Sequence, residues 1–142
     1  MQAQNYANHR RYVPLYHGLN YILILLLGVA SFVNLMRAEP DDRLSAVSLV
    51  GIFMILILLS WYARVFALKA QDRAIRAEEN LRYFVLTGKL FDAKLRMGQV
   101  VALRFAPDEE LVELARKAAA EKMKPDDIKR AVKNWKGDNH RA

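Results

Sequence analysis

The sequence contains no cysteine, which excludes disulfide bonds, thiol catalysis and cysteine-ligated metal sites. It also lacks a glycine-rich phosphate loop and any pattern that pairs a nucleophile with a base. Histidine is rare, and the spacing of the three histidines is not that of metal ligands: they are His9, His17 and His140. We therefore expect a protein that is not an enzyme and that has no cofactor and no metal ion.

Charged residues are absent from two long apolar runs, residues 15–36 and residues 44–63. As helices, these runs would be about 33 and 30 Å long, and the hydrocarbon core of a bilayer is about 30 Å thick. The first run is longer than the apolar region of a signal peptide, which has about 7–15 residues, so we expect it to be retained. Two core helices of a soluble protein are the alternative, but the remaining chain is too short to cover them. The runs predict two membrane spans.

Lysine and arginine are distributed unequally about the two runs, and this distribution predicts the orientation. The segment between the runs, "RAEPDDR", holds two arginines against three acids. Basic residues cluster before the first run and after the second, and such residues favour the cytoplasmic side of a membrane. We therefore expect both termini in the cytoplasm. The net charge of +7 then indicates contact with the anionic headgroups of the lipid bilayer.

The predicted fold class is an all-α membrane protein. A two-helix transmembrane hairpin is expected, whose second helix extends into a small cytoplasmic helical domain. The predicted parts are a cytoplasmic interfacial segment (1–14), a first transmembrane helix (15–36), an external loop (37–43), a second transmembrane helix (44–66) and the cytoplasmic domain (67–142).

Arg64 directly follows the second run, where its charge marks either the membrane border or a functional charge inside the membrane. A helix that starts at Leu44 reaches the far interface after about 20 residues, and aromatic residues accumulate at such interfaces. We interpret Arg64 as an anchor whose long side chain reaches the lipid phosphates, with a pore-lining or voltage-sensing charge as the alternative. The predicted interface anchors are Arg10, Arg11, Tyr12, Tyr16, Trp61, Tyr62 and Arg64.

The first run carries small and polar residues close to one helical face, here called the polar row. Small and polar residues pack and hydrogen-bond membrane helices, because lipid provides no hydrophobic drive between them. The polar row therefore predicts a contact with the second span. A partner-binding face and a polar pathway are alternatives. Its members are His17, Asn20, Gly28, Ser31 and Asn34.

Proline and glycine are absent between Arg64 and Gly88, so the second span is expected to continue as one helix of about 44 residues that ends at Thr87–Gly88. One face of this helix follows alternating spacings of three and four residues, as in a coiled coil. Small residues on such a face permit close approach of another helix, although alanine is also simply a good helix former. This alanine seam consists of Ser60, Ala63, Ala67, Ala70, Ala74, Ala77, Leu81 and Phe84.

Two amphipathic segments follow, "FAPDEELVELARKAAAEKM" and "KPDDIKRAVKNWKG", each with a proline and acids at its start. Both features favour the beginning of a helix. We predict a helical hairpin that ends at Gly137, preceded by a short helix over 99–105. Ser60 and Ala63 of the alanine seam can meet the first span, whereas the hairpin or another subunit should cover its lower part, Ala70–Phe84, and a subunit is favoured. The predicted hairpin core is Leu111, Leu114, Ile128, Val132 and Trp135.

A helical hairpin with many lysines is superficially similar to a DNA-binding helix-turn-helix. From Lys69 onward, however, the 17 basic residues are interleaved with 12 acidic ones, which indicates no concentrated phosphate-binding face. We therefore expect no nucleic-acid partner.

Four segments of the chain resemble an uncharacterised bacterial family of small two-span membrane proteins, known only as a domain of unknown function. They are "QNYANHRRYVPLYH" (4–17), "QDRAIRAEENLRYFVLTGKLFD" (71–92), "ALRFAPDEE" (102–110) and "IKRAVKNWKGDNHR" (128–141). The resemblance implies the bacterial inner membrane and the same topology. It implies no activity and no catalytic residue.

The expected function is that of a non-enzymatic inner-membrane scaffold or interaction module, which assembles with itself or joins a larger complex. A small oligomeric channel or transporter component is one alternative, because of the polar row. An accessory subunit of a respiratory or photosynthetic membrane complex is the other.

The predicted orientation can be tested by chemical labelling. In this cysteine-free chain, Asp41→Cys places a thiol in the predicted external loop. A membrane-impermeant maleimide is expected to react with it from the outer face, because positive flanks keep both termini inside. Reaction of this thiol only from the cytoplasmic side would contradict the predicted topology.

Overall fold

The computed structural model describes residues 4–9 and 12–138, and all regular elements in this part of the chain are helical. A π-helical turn, Pro14–Asn20, leads into helix α1, Tyr21–Arg37. A short 3-10 turn, Pro40–Asp42, precedes α2, Arg43–Thr87. Three shorter helices follow, α3 (Met97–Leu103), α4 (Asp108–Ala120) and α5 (Pro125–Ala131).

The chain divides into two compact units. We name Arg11–Phe66 the apolar unit, and Met1–Arg10 together with Ala67–Ala142 the polar unit. The all-helical fold class is confirmed for the described residues.

Helix α2 is 45 residues long, close to the length of about 44 residues predicted from the absence of proline and glycine between Arg64 and Gly88. It ends where the chain reaches Gly88, which has a φ of +71°. This left-handed conformation favours glycine because it has no Cβ. The N–H of Gly88 donates a 2.7 Å hydrogen bond to the carbonyl oxygen of Phe84, which satisfies one of the last free carbonyls of the helix.

In the apolar unit, α1 lies against the first part of α2. A Cβ atom at Gly28 would lie 2.5 Å from the ring of Phe53, so only glycine permits this approach. The ring of Phe32, also in α1, contacts the ring of Phe53 edge-on, and the two ring centroids are 6.1 Å apart.

Two helical segments in the described chain, Pro14–Arg37 and Pro40–Thr87, are long and apolar enough to cross a membrane. Only 11 % and 6 % of their most apolar stretches is buried within the chain, whereas the core helices of a soluble monomer would be mostly covered. Large side chains such as Leu25, Ile55 and Leu59 are therefore exposed on these helices.

The core of the polar unit is formed by the three short helices together with Tyr83 of α2. Val100 and Leu103 of α3, Leu111 of α4 and Ile128 of α5 are all fully buried. The predicted hairpin residues lie in this core: Leu111, Leu114, Ile128 and Val132 are buried, and Trp135 is partly buried against them.

Gln99 connects the segments around this core. Its Oε1 accepts a 2.8 Å hydrogen bond from the N–H of Arg96, at the start of α3. Its Nε2 donates to the carbonyl oxygen of Met123 at 2.9 Å and to that of Ala118 at 3.3 Å, near the end of α4. Because Gln99 caps the start, α3 begins at Met97 rather than at residue 99 as predicted.

The prediction of a helix that continues to Gly137 is wrong, because α5 ends at Ala131. The backbone N–H groups of Lys133 and Asn134 donate instead to the carboxylate of Glu110, at 2.9 and 3.0 Å. An N–H group that is bonded to this carboxylate cannot continue the helical pattern.

The segment after α5 therefore reaches the core as an extended tail. Val132 has extended backbone angles, and the N–H of Lys136 donates to the carbonyl oxygen of Phe105 at 2.8 Å. The Trp135 ring lies on the ring of Phe105, with centroids 4.7 Å apart.

Replacement of this tryptophan tests the core of the polar unit. Trp135→Ala is expected to lower the free energy of unfolding by about 2–3 kcal/mol, less than the 3–5 kcal/mol of a fully buried aromatic, because the ring is only partly buried. Thermal unfolding of the full chain in detergent measures the effect. The control is Trp61→Ala, since Trp61 is 61 % exposed. Equal effects of the two changes would contradict this packing.

The Glu110 carboxylate predicts a dependence on pH. Burial raises its pKa, but the hydrogen bonds from Lys133 and Asn134 outweigh this effect and hold the pKa below its ordinary value. A carboxyl group with a lowered folded pKa adds stability above its unfolded pKa and loses it as the pH falls through the folded pKa.

Acidification from about pH 6 to about pH 3 should therefore lower the melting temperature, and Glu110→Gln should reduce this dependence. The matched control is Glu113→Gln, because Glu113 is exposed on the same helix. An unchanged pH profile for Glu110→Gln would show that the tail is held by other contacts.

Candidate functional site

Helix α2 presents two different faces in the polar unit. One face is buried and carries Ile75, Glu79 and Tyr83 at spacings of four residues. Arg82 lies beside them, and its Nη1 pairs with Oε2 of Glu79 at 3.0 Å. The first turn of α4 is attached here, because Arg82 Nε also pairs with the carboxylate of Asp108.

Two further hydrogen bonds join α2 to its surroundings on this side. Arg82 Nη2 donates to the carbonyl oxygen of Ala106 at 2.9 Å. The N–H of Phe91 donates to Oδ1 of Asn80 at 3.2 Å. The remainder of the polar unit is thus bound across the buried face of α2, with Arg82 at one edge of this face and Asn80 at the other.

The alanine seam lies on the exposed surface of α2. Leu81 and Phe84 are 63 % and 48 % exposed. The small members are also exposed, namely Ala63, Ala67, Ala70, Ala74 and Ala77. The alternative that residues 107–136 of the same chain cover the seam is therefore wrong for the described residues. An exposed apolar strip of this kind usually marks an interaction site.

Ser60, the first member of the seam, is half-buried within the apolar unit. Its carbonyl oxygen accepts a hydrogen bond from the hydroxyl of Tyr16, and its Oγ accepts one from Nδ2 of Asn20 at 3.4 Å. The open part of the seam therefore starts at Ala63.

The polar row is only partly brought together. Gly28 and Ser31 are buried, and Ser31 Oγ donates to the carbonyl oxygen of Leu27 in its own helix at 2.7 Å. His17 Nδ1 accepts from the backbone N–H of Val13 at 3.1 Å. Asn34 is exposed. Most of the row therefore makes contacts within the apolar unit.

The predicted interface anchors differ in their exposure to solvent. Tyr12, Trp61 and Tyr62 are exposed, whereas Tyr16 and Arg64 are half-buried. The predicted anchors Arg10 and Arg11 lie outside the described residues.

Residues 4–9, which were predicted to belong to an interfacial segment at the membrane, instead contact the C-terminal part of the chain. They lie in the polar unit. Gln4 Oε1 accepts from the N–H of Asp138 at 2.9 Å, and its Nε2 donates to the carbonyl oxygen of the same residue at 3.1 Å. The ring of His9 lies 5.7 Å from those of Phe105 and Trp135.

Tyr6 connects the N-terminal segment to α5. Its hydroxyl donates to the carboxylate of Asp126 at 2.8 Å and accepts from the guanidinium of Arg130 at 3.0 Å. The hydrogen bond from Tyr6 holds the pKa of Asp126 below its ordinary value. No local sequence pattern indicates this contact, because Tyr6 and Asp126 are 120 residues apart in the sequence.

The chain belongs to a family of unknown function, DUF6526, whose profile matches residues 1–142. The expected resemblance to an uncharacterised family is thereby confirmed. No curated protein and no solved structure gives a significant match.

Proposed function

We propose that the chain is a non-enzymatic scaffold of the bacterial inner membrane that assembles with a second copy of itself along the alanine seam. The apolar unit is the two-span anchor, both termini are cytoplasmic, and the polar unit lies in the cytoplasm. Membrane insertion is supported by two helical segments of spanning length whose apolar surface is hardly covered within the chain.

The observation that carries the proposal is the exposure of the seam. Its small residues recur at spacings of three and four along four turns of α2, and Leu81 and Phe84 extend it with larger apolar side chains. Helices approach closely where small residues face each other, and contacts then form along their whole length. A second α2 helix fits such a surface because it offers the same seam.

The charges beside the seam are complementary between two parallel copies. In heptad terms, Ala67 and Ala74 occupy a positions, which makes Arg73 a g residue and Glu78 the e residue of the next heptad. In a parallel pair, this g residue lies opposite that e residue of the other helix. Arg73 and Glu78 are both exposed, and neither forms an ion pair within the described residues.

Two copies inserted into a membrane with the same topology are parallel. The pairing of Arg73 with Glu78 would therefore occur twice in a symmetric dimer. Both the apolar surface and the flanking charges favour this occupant over an unrelated partner.

The channel alternative is less well supported. A polar pathway would need the polar row to line an open space. Gly28 instead lies directly against Phe53, and Ser31 donates to its own helix. These contacts favour close packing of α1 against α2 in the apolar unit, with no open pathway between them.

Charge reversal tests the dimer. Arg73→Glu should raise the dissociation constant by about tenfold, because two exposed ion pairs become two repulsions. The double variant Arg73→Glu/Glu78→Arg should restore association, since it exchanges the two charges. Sedimentation in detergent across protein concentrations measures the oligomer.

The matched control is Arg76→Glu, which makes the same chemical change on an exposed residue outside the seam and its e and g flanks. Ala77→Glu, with a charge in the seam itself, should weaken association most strongly. A wild-type protein that stays monomeric at all concentrations would refute self-assembly. A heteromeric partner, such as a larger membrane complex, would then be the better candidate for the seam.

A further inference from the structure

A basic groove lies in the polar unit between the start of α3 and the turn that joins α4 to α5. Its volume is about 390 Å³, which is in the range of small-molecule sites. Lys94, Arg96, Lys122 and Lys124 line it, and among the described residues that line it there is no aspartate or glutamate. Four positive charges therefore surround one concave space.

These four cations differ from those that stabilise the fold. Arg82, Arg104 and Arg130 are each paired with a carboxylate at 3.2 Å or less. By contrast, none of the groove cations forms an ion pair within residues 4–9 and 12–138. These cations are exposed and form no direct ion pair in this part of the chain, and a concave wall concentrates the field of such charges.

The groove is preformed because Gln99, one of its lining residues, is only 5 % exposed and fully engaged. Its three hydrogen bonds, to Arg96, Ala118 and Met123, join the segments from which the cations project. A preformed site binds with a smaller entropic cost than one that must be ordered by the ligand.

Lys122 supplies an independent indication of function. It has a φ of +51°, in the left-handed region that favours glycine. It lies just after α4, and the N–H of the next residue, Met123, donates to the carbonyl oxygen of Ala118 at 3.2 Å, as at many helix ends that use glycine. A lysine here strains the backbone, and strained positions cluster at functional sites.

The positive surface continues into a second groove of about 490 Å³. Lys94 lines both grooves, and Lys89 and Arg116 line the second one, where Asp92 is the one acidic residue among the described lining residues. A ligand seated at Lys122 and Lys124 therefore has room and further positive charge towards α2.

We propose that the basic groove binds a phosphate-bearing ligand through Lys94, Arg96, Lys122 and Lys124. Phosphate is the matching chemistry because it carries up to two negative charges and accepts several charge-assisted hydrogen bonds. The phosphate belongs either to a free phosphorylated small molecule or to the headgroup of an anionic lipid.

The test uses the full chain in an uncharged detergent and two probes, inorganic pyrophosphate and the water-soluble lipid dihexanoyl phosphatidic acid. Isothermal titration calorimetry should show saturable binding that weakens with added salt. Tighter binding of pyrophosphate would assign the groove to free phosphates, and tighter binding of the lipid would assign it to headgroups. Absence of saturable binding of both probes would overturn the proposal.

Lys122→Gly separates binding from folding. It should weaken binding by about tenfold through loss of one charged contact, yet raise the melting temperature, because glycine relieves the left-handed strain. Lys94→Gln/Lys124→Gln should weaken binding further at an unchanged melting temperature.

The matched control is Lys117→Gln, which removes one positive charge from α4 but lines a different groove, with Glu109, Glu110 and Glu113. It should leave the affinity within about twofold of wild type. An equal loss of affinity in Lys117→Gln and Lys122→Gly would show that affinity depends only on the net charge of the protein, and it would refute a specific site.

Discussion

The ion pairs of Arg82 determine which face of α2 carries the rest of the polar unit. The Arg82 side chain is 14 % exposed, and it contacts Glu79, Asp108 and the carbonyl oxygen of Ala106. A charge that leaves water is stable only when its partners remain in place, since an unpaired one costs several kcal/mol. This requirement holds the start of α4 beside Arg82. The alanine seam, on another side of the same helix, is left uncovered as a consequence.

Side-chain size also favours burial of the face of α2 that carries Ile75 and Tyr83 over burial of the alanine seam. Burial of a large apolar side chain contributes about 1.5–3 kcal/mol, whereas a methyl group contributes about 0.8 kcal/mol. The fold of one chain therefore gains more from covering Ile75 and Tyr83 than from covering Ala70, Ala74 and Ala77. Between two long helices, small residues can contribute more, because they permit close approach and dispersion contacts accumulate over many turns. Burial of the alanine face therefore adds little to the stability of one chain, but the same face is well suited to contact between two chains.

Local signals were sufficient to predict that each of the α-helices exists, but contacts between distant segments were not predictable. The end of α2 at Gly88 follows from its glycine, and Pro107 and Pro125 mark the starts of α4 and α5 to within one residue. The early end of α5 depends on Glu110, more than 20 residues earlier, and residues 4–9 bind a segment more than 110 residues later. The seam residues could be named from their spacing. Their exposure could not, since it depends on where Arg82 holds α4.

The interleaving of acids and bases along the sequence gave no indication of a basic groove, and folding explains why. The acids of the polar unit are engaged selectively: Glu79, Asp108, Asp126 and Asp138 each pair with an arginine that stabilises the fold. Ion pairs and helix starts thus account for much of the negative charge, and the cations at the α3 start and the α4–α5 turn form no ion pair among the described residues. Charges that alternate in sequence can therefore be separated in space. When an acid pairs with an arginine in one part of the fold, the basic residues next to it in sequence are left without that acid as a partner.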